Sequence, residues 1–488
     1  MNDNIFLILG YISFIVFTCG IMLLGVVAEK KIKFDKLICR KLVHIAASFL
    51  WIICWYFFGC SIHWIILNGL SALALGVVTF SSKMKAFYGD DAGKNYGIFY
   101  FSLSTFIVAL ICYLVGEELY LYTGIVYYCL ALGDGFAPIV AKLLKKYNPE
   151  IMPNKTLFGS LTVFVVSFLS TLIFSVIFNM QLDILFIFSV AALTCITEFY
   201  GLKGIDNLLI EFAVFGYLML YHFGYVTVLL EIVVLTSPFI AFIAIGSKSL
   251  TVSGGICGLV LFYLVAFFDN GLAAVLSMVI LFVVATVVAF VTQKLLNKRN
   301  GGSSGKHART GRQLLSVGLA ATICLIIYYF TQIQLFYVLY FVALTEQFSD
   351  SMASDIGRLT RGKNVDIIKF KPVEKGLSGG VSLLGTVCAL IASALLLLIP
   401  LLFKTVTVQC FLTATAIAFF GTLVDSVLGS LFQALYRCQV CGAMTETNVH
   451  CECRASLVKG VKWLDNTAVN FVTSFITCGV GCLLLLLL

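Results

Sequence analysis

Acidic residues at the ends of apolar segments are the first candidates for chemistry in this chain of 488 residues. In the first half these acids are Asp134 in ALGDGF, Glu198 in TCITEF and Asp206 in GIDNLL. Ionisable side chains are costly at such positions, so each one is a functional candidate. Carboxylates bind Mg²⁺ through a few oxygens, while waters and phosphates complete the octahedron. The three acids therefore predict a magnesium site that handles phosphates.

The second half repeats this order of acids. Asp350 lies in SDSMASD, Asp425 in GTLVDSVLG and Asp465 in WLDNTA. In each half a basic helix start precedes the first Asp, a Gly/Ser-rich helix start follows it, and an Asp-Asn pair opens a later helix. This matching order predicts two parallel, duplicated helical catalytic units, each with its own Mg²⁺ ligands.

Basic residues and Gly-rich helix starts near these acids predict phosphate binding. Lysines and backbone N–H groups at a helix start neutralise phosphate oxygens, and residues one helical turn apart point at the same phosphate. The predicted substrate- and nucleotide-binding residues are Arg40, His44, Lys155, Gly159, Ser160 and Asn207 in the first half and Arg312, Lys371, Lys375, Ser378, Gly379, Gly380 and Asn466 in the second. An ordinary helix cap explains any single acid equally well, so the prediction depends on the two sets together.

A Cys-rich polar segment at 436–466 contains the sequence CQVCGAMTETNVHCEC. Its candidate metal ligands are Cys438, Cys441, Cys451 and Cys453, with His450 as the alternative ligand. Four thiolates, or three thiolates with one histidine, suit a closed structural Zn²⁺ site. The spacing therefore predicts structural zinc in addition to Mg²⁺.

The elements that position these groups must lie in a lipid bilayer. The chain is 61% apolar and 11% charged, whereas a soluble domain is about half apolar and a quarter charged, so a soluble enzyme is excluded. Apolar runs of membrane-spanning length predict an all-α polytopic integral membrane protein. About sixteen transmembrane helices are expected, near 5–27, 42–60, 62–80, 97–115, 120–141, 158–178, 183–200, 207–223, 225–246, 251–268, 271–292, 313–331, 334–352, 378–402, 406–433 and 467–488.

The basic residues predict the orientation of these helices, because Lys and Arg collect in short loops on the cytoplasmic side. If the first helix runs from outside to inside, all of the 32 Lys and Arg residues except Lys404 fall on the inner side. Both termini are therefore expected outside, and both sites on the cytoplasmic face of a bacterial inner membrane or an equivalent organellar membrane. The net charge of +8 then reflects topology and phosphate binding, and no nucleic-acid partner is expected.

The first half, roughly 20–235, resembles the family of CTP-dependent phytol and dolichol kinases, which is related to phosphatidate cytidylyltransferases. The motifs that carry the resemblance are RKLVH at 40–44, GDGFAP at 133–138, NKTLFGS at 154–160, TCITE at 194–198 and DNL at 206–208. The second half, roughly 236–488, resembles the integral-membrane family to which plant phytyl-phosphate kinase belongs. Its motifs are GRQLLSVG at 311–318, SDSMASDIG at 349–357, FKPVEKGLSGGVSLLGT at 370–386, GTLVDSVLG at 421–429, the YRCQVC and HCEC cysteines, and WLDNTAVN at 463–470.

Together the resemblances imply a bifunctional membrane kinase with domains at 1–235 and 236–488. The first domain would phosphorylate an isoprenoid alcohol of the phytol, farnesol or geranylgeraniol type. The second would convert the monophosphate to the diphosphate, with CTP expected as the nucleoside triphosphate and with Asp134 and Asp350 as the catalytic acids.

Two alternatives stay open. The first is a cytidylyltransferase that forms a CDP-lipid, although the Lys-Asp and Asp-Arg motif of phosphatidate cytidylyltransferases is missing from the sequence. The second is a transporter or flippase of phosphorylated lipids, whose charges would be expected at the membrane midplane and on both faces.

Overall fold

A computed structural model of the chain describes residues 3–31, 33, 35–80, 97–152, 155–201, 205–269, 271–300, 308–360, 362, 364–373 and 377–486. Helices account for most of this part of the chain, and its strands are only two to four residues long. The chain divides into two compact units, Met1–Pro238 and Phe239–Leu488.

The first unit is built from helices that follow one another through short connections. They are α1 (Asp3–Lys30), α2 (Lys36–Ala47), α3 (Leu50–Phe57), α4 (Ile62–Phe80), α5 (Gly97–Val115), α6 (Tyr120–Tyr128), α7 (Gly135–Leu143), α8 (Leu157–Ile177), α9 (Ile184–Tyr200), α10 (Ile205–His222) and α11 (Val228–Gly246), which contains the unit boundary. A short antiparallel hairpin, β1 (Glu150–Met152) and β2 (Lys155–Thr156), precedes α8.

A π-helical turn at Cys129–Asp134 joins α6 to α7. Such turns contain one more residue than an α-helical turn and occur frequently at functional sites. Most of this turn is buried, and Gly133 lies close enough to α8 that an added Cβ would meet Ser167 Oγ at 3.1 Å. Asp134 is the last residue of the turn, so close helix packing fixes the backbone that carries its carboxylate.

The second unit surrounds one central helix. Its helices are α12 (Val252–Phe268), α13 (Leu272–Asn300), α14 (Gly311–Thr331), α15 (Gln334–Gly357), α16 (Leu383–Leu402), α17 (Val408–Leu431) and α18 (Asn466–Leu485). The central helix is α15, which contacts α13, α14, α16, α17 and α18. Its side chains are buried continuously from Tyr337 to Ser349, as expected for a helix covered on all sides.

Short strands connect the helices of the second unit. In the first sheet, β3 (Asn364–Asp366) pairs antiparallel with both β4 (Pro372–Val373) and β5 (Gly380–Val381). In the second, β6 (Leu435–Arg437) pairs antiparallel with β7 (Met444–Thr445) and β10 (Ser456–Lys459). A separate hairpin contains β8 (Val449–His450) and β9 (Cys453–Arg454).

Polar side chains mark where several helices begin. Thr156, Asp183, Thr251, Ser382 and Asp465 each accept a hydrogen bond from the backbone N–H three residues later. This contact satisfies one of the N–H groups left unpaired at a helix start. The connections that carry the predicted site residues therefore have defined helix boundaries.

Apolar helices of membrane-spanning length confirm the predicted fold class. Among the described residues, nine helices are long and apolar enough to cross a membrane, and five shorter apolar helices accompany them. Each of the sixteen predicted segments overlaps a helical stretch. The chain is an all-α polytopic membrane protein, and the parallel duplication of its two units stays a prediction.

Candidate active sites

Three predicted carboxylates of the first unit meet at one place. Asp134, Glu198 and Asp206 each offer an oxygen, and these oxygens lie within 4.8 Å of one another. They come from the end of the π-helical turn, the end of α9 and the start of α10. Their side chains keep only 13%, 9% and 17% of their surface exposed. The site is therefore shielded from solvent and still reachable by a ligand.

Two side chains on one face of α2 approach Asp134. Lys41 Nζ lies 2.6 Å from Asp134 Oδ2, and His44 Nε2 lies 3.6 Å from the same oxygen. His44 Nε2 is buried and has no hydrogen-bond partner among the described residues. Lys41 was not among the predicted residues, whereas its neighbour Arg40 was, and the side chain of Arg40 lies outside the described part of the chain.

Lys155 connects the other two carboxylates. Its ammonium group donates to Glu198 Oε1 at 2.5 Å and to the Glu198 backbone carbonyl at 2.6 Å. The same group lies 3.7 Å from Asp206 Oδ2. Three carboxylates thus share two lysines, so the cluster keeps formal negative charge for a metal cation while holding ammonium groups that can bind phosphate.

The other predicted residues of this unit surround the cluster. Thr156 caps α8 by accepting from Gly159 N at 3.3 Å. Ser160 Oγ is buried without a hydrogen-bond partner among the described residues. Asn207 Nδ2 instead donates to the Gly97 carbonyl at 2.8 Å, so this amide connects α10 to α5.

A cleft of about 300 Å³ forms the corresponding site of the second unit. The predicted residues that line it are Asp350, Asp425, Ser378, Gly379, Gly380 and Asn466. Helices α15, α16 and α17 supply its walls, together with the Gly-rich segment 377–380 that precedes α16. These predicted residues are separated by up to 116 positions in sequence, and the helix packing brings them together.

The acids of this cleft lie on neighbouring helices. Asp350 on α15 is close enough to Asp425 on α17, and to Glu346 one turn earlier, for their charges to interact. Thr473 Oγ1 donates to Asp425 Oδ2 at 3.1 Å. Among the described residues, the Asp350 carboxylate has no hydrogen-bond or ion-pair partner. A half-buried carboxylate without such a partner suits a bound cation.

Two further residues of the cleft, Arg358 and Glu446, were not predicted from the sequence. Arg358 forms an ion pair with Asp355 across one turn at the end of α15. Glu446 Oε1 accepts hydrogen bonds from Ser378 N at 2.7 Å and from Ser378 Oγ at 2.6 Å. Asp355 lies in the SDSMASDIG motif, so its position offered a signal, whereas Glu446 lies in the Cys-rich segment and offered none.

Close packing fixes the Gly-rich segment against the end of α17. Gly379 has a φ of +83°, and an added Cβ would come within 2.5 Å of Ser430 Cβ. Ser430 Oγ donates to both carboxylate oxygens of Asp366, at 2.8 and 2.9 Å. Burial raises the pKa of Asp366, but hydrogen bonds from Lys369 N, Ser430 Oγ and Ile368 N outweigh it and hold the pKa below its ordinary value.

Several predicted residues do not line the cleft. Asp465 Oδ1 caps α18 by accepting from Ala468 N at 2.9 Å, and Arg312 Nη1 lies 2.7 Å from Asp465 Oδ2. Both side chains are exposed, which is the geometry of a solvated helix cap with an ion pair. Lys371 is exposed, and Lys375 lies outside the described residues.

Four side chains of the Cys-rich segment also converge. Their ligand atoms lie within 4.8 Å of one another, and they belong to Cys438, Cys441, His450 and Cys451. Cys453 falls outside this group and pairs with His450 across the β8–β9 hairpin, whose turn contains Cys451 and Glu452 at positive φ. A hydrogen bond from the Cys441 backbone, followed by one from the His450 side chain, lowers the pKa of Cys438 to about 6.

These features define a polytopic membrane protein with acid-rich sites in two helical units. Residues 235–478 match the model of the integral membrane protein family DUF92, and the chain belongs to this family. The match covers all of the second unit except its last ten residues, and the resemblance of the first half to phytol and dolichol kinases stays a prediction.

Two relatives are similar to parts of the chain. Protein PGR of Arabidopsis thaliana is 33% identical over 147 residues, which cover 26% of this chain and 49% of that protein. An uncharacterized membrane protein of Methanocaldococcus jannaschii is 30% identical over 185 residues, which cover 37% of this chain and 72% of that protein. The chain therefore spans about half the length of the plant relative. No solved structure matches the chain.

Proposed function

We propose that the chain is a bifunctional membrane kinase. The first unit phosphorylates an isoprenoid alcohol to its monophosphate, and the second phosphorylates the monophosphate to the diphosphate, with CTP as the donor for both steps. The observation that carries the proposal is the convergence of three carboxylates with Lys41, His44 and Lys155 in the first unit. Membership in an integral membrane family and the two sequence resemblances support it.

The carboxylate cluster of the first unit fits Mg²⁺. Oxygens of one octahedral Mg²⁺ shell are separated by about 3–4 Å, and the oxygens of Asp134, Glu198 and Asp206 lie within 4.8 Å of one another. These three residues would hold the ion, which when bound supplies charge neutralisation for the nucleotide phosphates.

The remaining side chains of this site position the reactants. In phosphoryl transfer the protein mainly aligns groups and stabilises charge. Lys41 and Lys155 already lie at the carboxylates, so each has phosphate oxygens within reach once a nucleotide enters. His44 Nε2 lies at the same place, 3.6 Å from Asp134 Oδ2, and makes no hydrogen bond with the described residues. Asp134 acts either as a metal ligand or as the base that accepts the proton of the alcohol.

The second step needs different groups. Its attacking phosphate is already anionic, so no base is required. Asp350 and Asp425 are the proposed Mg²⁺ ligands, because they share the cleft wall and Asp350 has no partner among the described residues. The backbone of the Gly-rich segment 377–380 and the Arg358 guanidinium line the same cleft and bind phosphates.

Labelled CTP tests the proposal directly. Purified protein, Mg²⁺ and phytol, farnesol or geranylgeraniol should yield labelled mono- and diphosphates from γ-labelled CTP. Asp134→Asn should abolish the reaction of the alcohol but still convert added monophosphate, whereas Asp350→Asn should stop at the monophosphate. Asp183→Asn is the matched control, because Asp183 caps α9 and asparagine caps equally well.

Other products would overturn the proposal. Transfer of CMP from α-labelled CTP to a phosphorylated lipid would favour the cytidylyltransferase. Movement of a phosphorylated lipid across the membrane without any labelled product would favour the transporter. Full alcohol kinase activity of Asp134→Asn would remove the assignment of the first site.

A further inference from the structure

We propose that the second unit binds one structural Zn²⁺ through Cys438, Cys441, His450 and Cys451. The bound metal would hold Glu446 in the position from which it fixes the Gly-rich segment 377–380. This inference does not depend on the proposed kinase activity, because metal content and local order can be measured without substrate.

The two distances from His450 Nδ1 to neighbouring thiols match a tetrahedral zinc site, and all four ligand atoms lie within 4.8 Å of one another. His450 Nδ1 lies 3.5 Å from Cys441 Sγ and 3.3 Å from Cys451 Sγ. Zinc bonds of about 2.3 Å to sulfur and about 2.0–2.1 Å to nitrogen, at tetrahedral angles, separate the two ligand atoms by about 3.6 Å. The side chains therefore surround a position that one Zn²⁺ can occupy with little rearrangement.

The local backbone presents the ligands from two turns. In the first, Cys438 N donates to the Ala443 carbonyl at 2.9 Å and Gly442 N donates to the Cys438 carbonyl at 3.0 Å. Gly442 has a φ of +75°, which favours glycine, and no atom lies within 4 Å of its ideal Cβ position. The second turn carries Cys451 at a φ of +50°. Two adjacent turns that each supply two ligands are typical of structural zinc sites.

Without a metal, the Cys-rich segment has few buried apolar side chains to stabilise it. Between residues 440 and 458, large apolar side chains are largely exposed. The exposed fractions are 64% for Val440, 53% for Val449, 45% for Leu457 and 55% for Val458. A small polar segment of this kind usually needs a metal or a disulfide to order it. A Zn²⁺ ion bound by the four converging ligands would supply that missing stabilisation.

Glu446 connects the metal ligands to the cleft. It lies between Cys441 and His450 in sequence, so ligands on both sides fix its backbone. Its carboxylate accepts two hydrogen bonds from Ser378, one from the backbone and one from the hydroxyl. Loss of zinc would therefore release this carboxylate and loosen the Gly-rich segment.

Metal analysis of the purified full chain tests the ligand set. We expect one Zn²⁺ per chain, loss of zinc in Cys451→Ser, and retention in the matched control Cys453→Ser. His450→Cys should still bind one metal ion. With Co²⁺ in place of Zn²⁺, its thiolate-to-metal charge-transfer absorption should be stronger than that of the wild type, because four sulfur ligands replace three. Wild-type protein without stoichiometric zinc, or equal loss of zinc in both serine variants, would overturn the proposal.

Hydrogen exchange tests the connection to the cleft. Chelation of zinc from the wild type should raise amide exchange in peptides that cover 377–381. Glu446→Gln should keep its zinc, show raised exchange in the same peptides before chelation, and respond less when zinc is removed. Unchanged exchange after complete removal of zinc would show that the metal does not order this segment.

Discussion

The carboxylates proposed as catalytic in the two units have opposite local charge. Asp134 lies against Lys41 and near His44. Asp350 instead lies near Glu346 and Asp425, and among the described residues it has no cationic partner. Phosphates are repelled by unpaired carboxylates, so a cation must bind in the second cleft before the proposed monophosphate and nucleotide can enter it.

This difference predicts that the second site binds Mg²⁺ more tightly than the first, because among the described residues no ammonium group competes with the cation for the carboxylate of Asp350. Titration of free Mg²⁺ at constant CTP, with each step supplied with its own substrate, should give half-maximal rates at a lower concentration for the monophosphate kinase. An alcohol kinase that reaches half-maximal rate at the lower concentration would contradict the charge assignment of the two sites.

The Lys41 ammonium group should contribute strongly to the first step. Lys41→Ala leaves the shielded Asp134 carboxylate without its 2.6 Å partner and removes a phosphate ligand. Loss of one preorganised electrostatic contact costs about 10²–10³-fold in rate. The matched control is Lys142→Ala, whose 2.7 Å ion pair with Asp35 is about half exposed and should change kcat/KM little. Similar losses in both variants would refute a specific role for Lys41.

Gly379 should be intolerant of any side chain. Gly379→Ala adds the strain of a φ of +83° and a Cβ within 2.5 Å of Ser430 Cβ. Gly224→Ala is the control, because Gly224 has a φ of +74° and open space around its Cβ position. The left-handed conformation costs alanine about 1–2 kcal/mol at both positions. Thermal unfolding in detergent should therefore show a larger loss for Gly379→Ala, together with loss of the second step. Equal losses of thermal stability in the two variants would show that Ser430 moves away from the added methyl group.

At the scale of elements, helix α18 tests the predicted role of Asp465. The carboxylate caps this helix and pairs with Arg312, whereas its neighbour Asn466 lines the cleft. Asn caps a helix about as well as Asp does, whereas replacement of the capping residue by Ala lowers the free energy of unfolding by about 1 kcal/mol.

Asp465→Asn should therefore keep the second step within a few-fold of the wild type, and Asp465→Ala should lower the thermal unfolding midpoint. Assays of the monophosphate kinase and thermal unfolding of both variants distinguish the cap from a metal ligand. Loss of activity in a stably folded Asp465→Asn would restore the prediction that Asp465 binds Mg²⁺.

The helices were predictable because apolar length is a local signal, and all sixteen predicted segments overlap helices. The choice between Arg40 and Lys41 was not predictable from spacing. Residues three and four positions before His44 lie on nearly the same helix face, and only the packing of α2 against the π-helical turn places Lys41 on Asp134. The π-helical turn has no recognisable sequence pattern, so it was also missed.

Long-range contacts explain the remaining differences from the sequence analysis. Glu446 meets Ser378 across 68 positions of the chain, and no local pattern indicates this pairing. Likewise, the sequence offered Cys453 as the fourth zinc ligand and His450 as the alternative, and the fold brings the alternative, His450, to the other three thiols. In both cases the residue types were informative, and the partners depended on the tertiary fold.

At the scale of the whole molecule, each unit contains its own set of acids, so the two steps should be separable. An isoprenoid monophosphate carries many apolar carbons, and each buried CH₂ contributes about 0.8 kcal/mol to membrane retention. The intermediate should therefore stay in the bilayer in which it forms and reach a second protein only by lateral diffusion.

We therefore expect two inactive variants to complement each other when they share one membrane. Asp134→Asn and Asp350→Asn, reconstituted together in the same vesicles, should convert the alcohol to the diphosphate, because each supplies the step that the other lacks. The same proteins in separate vesicles, mixed afterwards, should yield only monophosphate. Either variant reconstituted with wild-type protein serves as the control for reconstitution. Diphosphate formation by the separate vesicles at the same rate would show that the intermediate leaves the bilayer. No diphosphate from the shared vesicles would show that it cannot pass between chains.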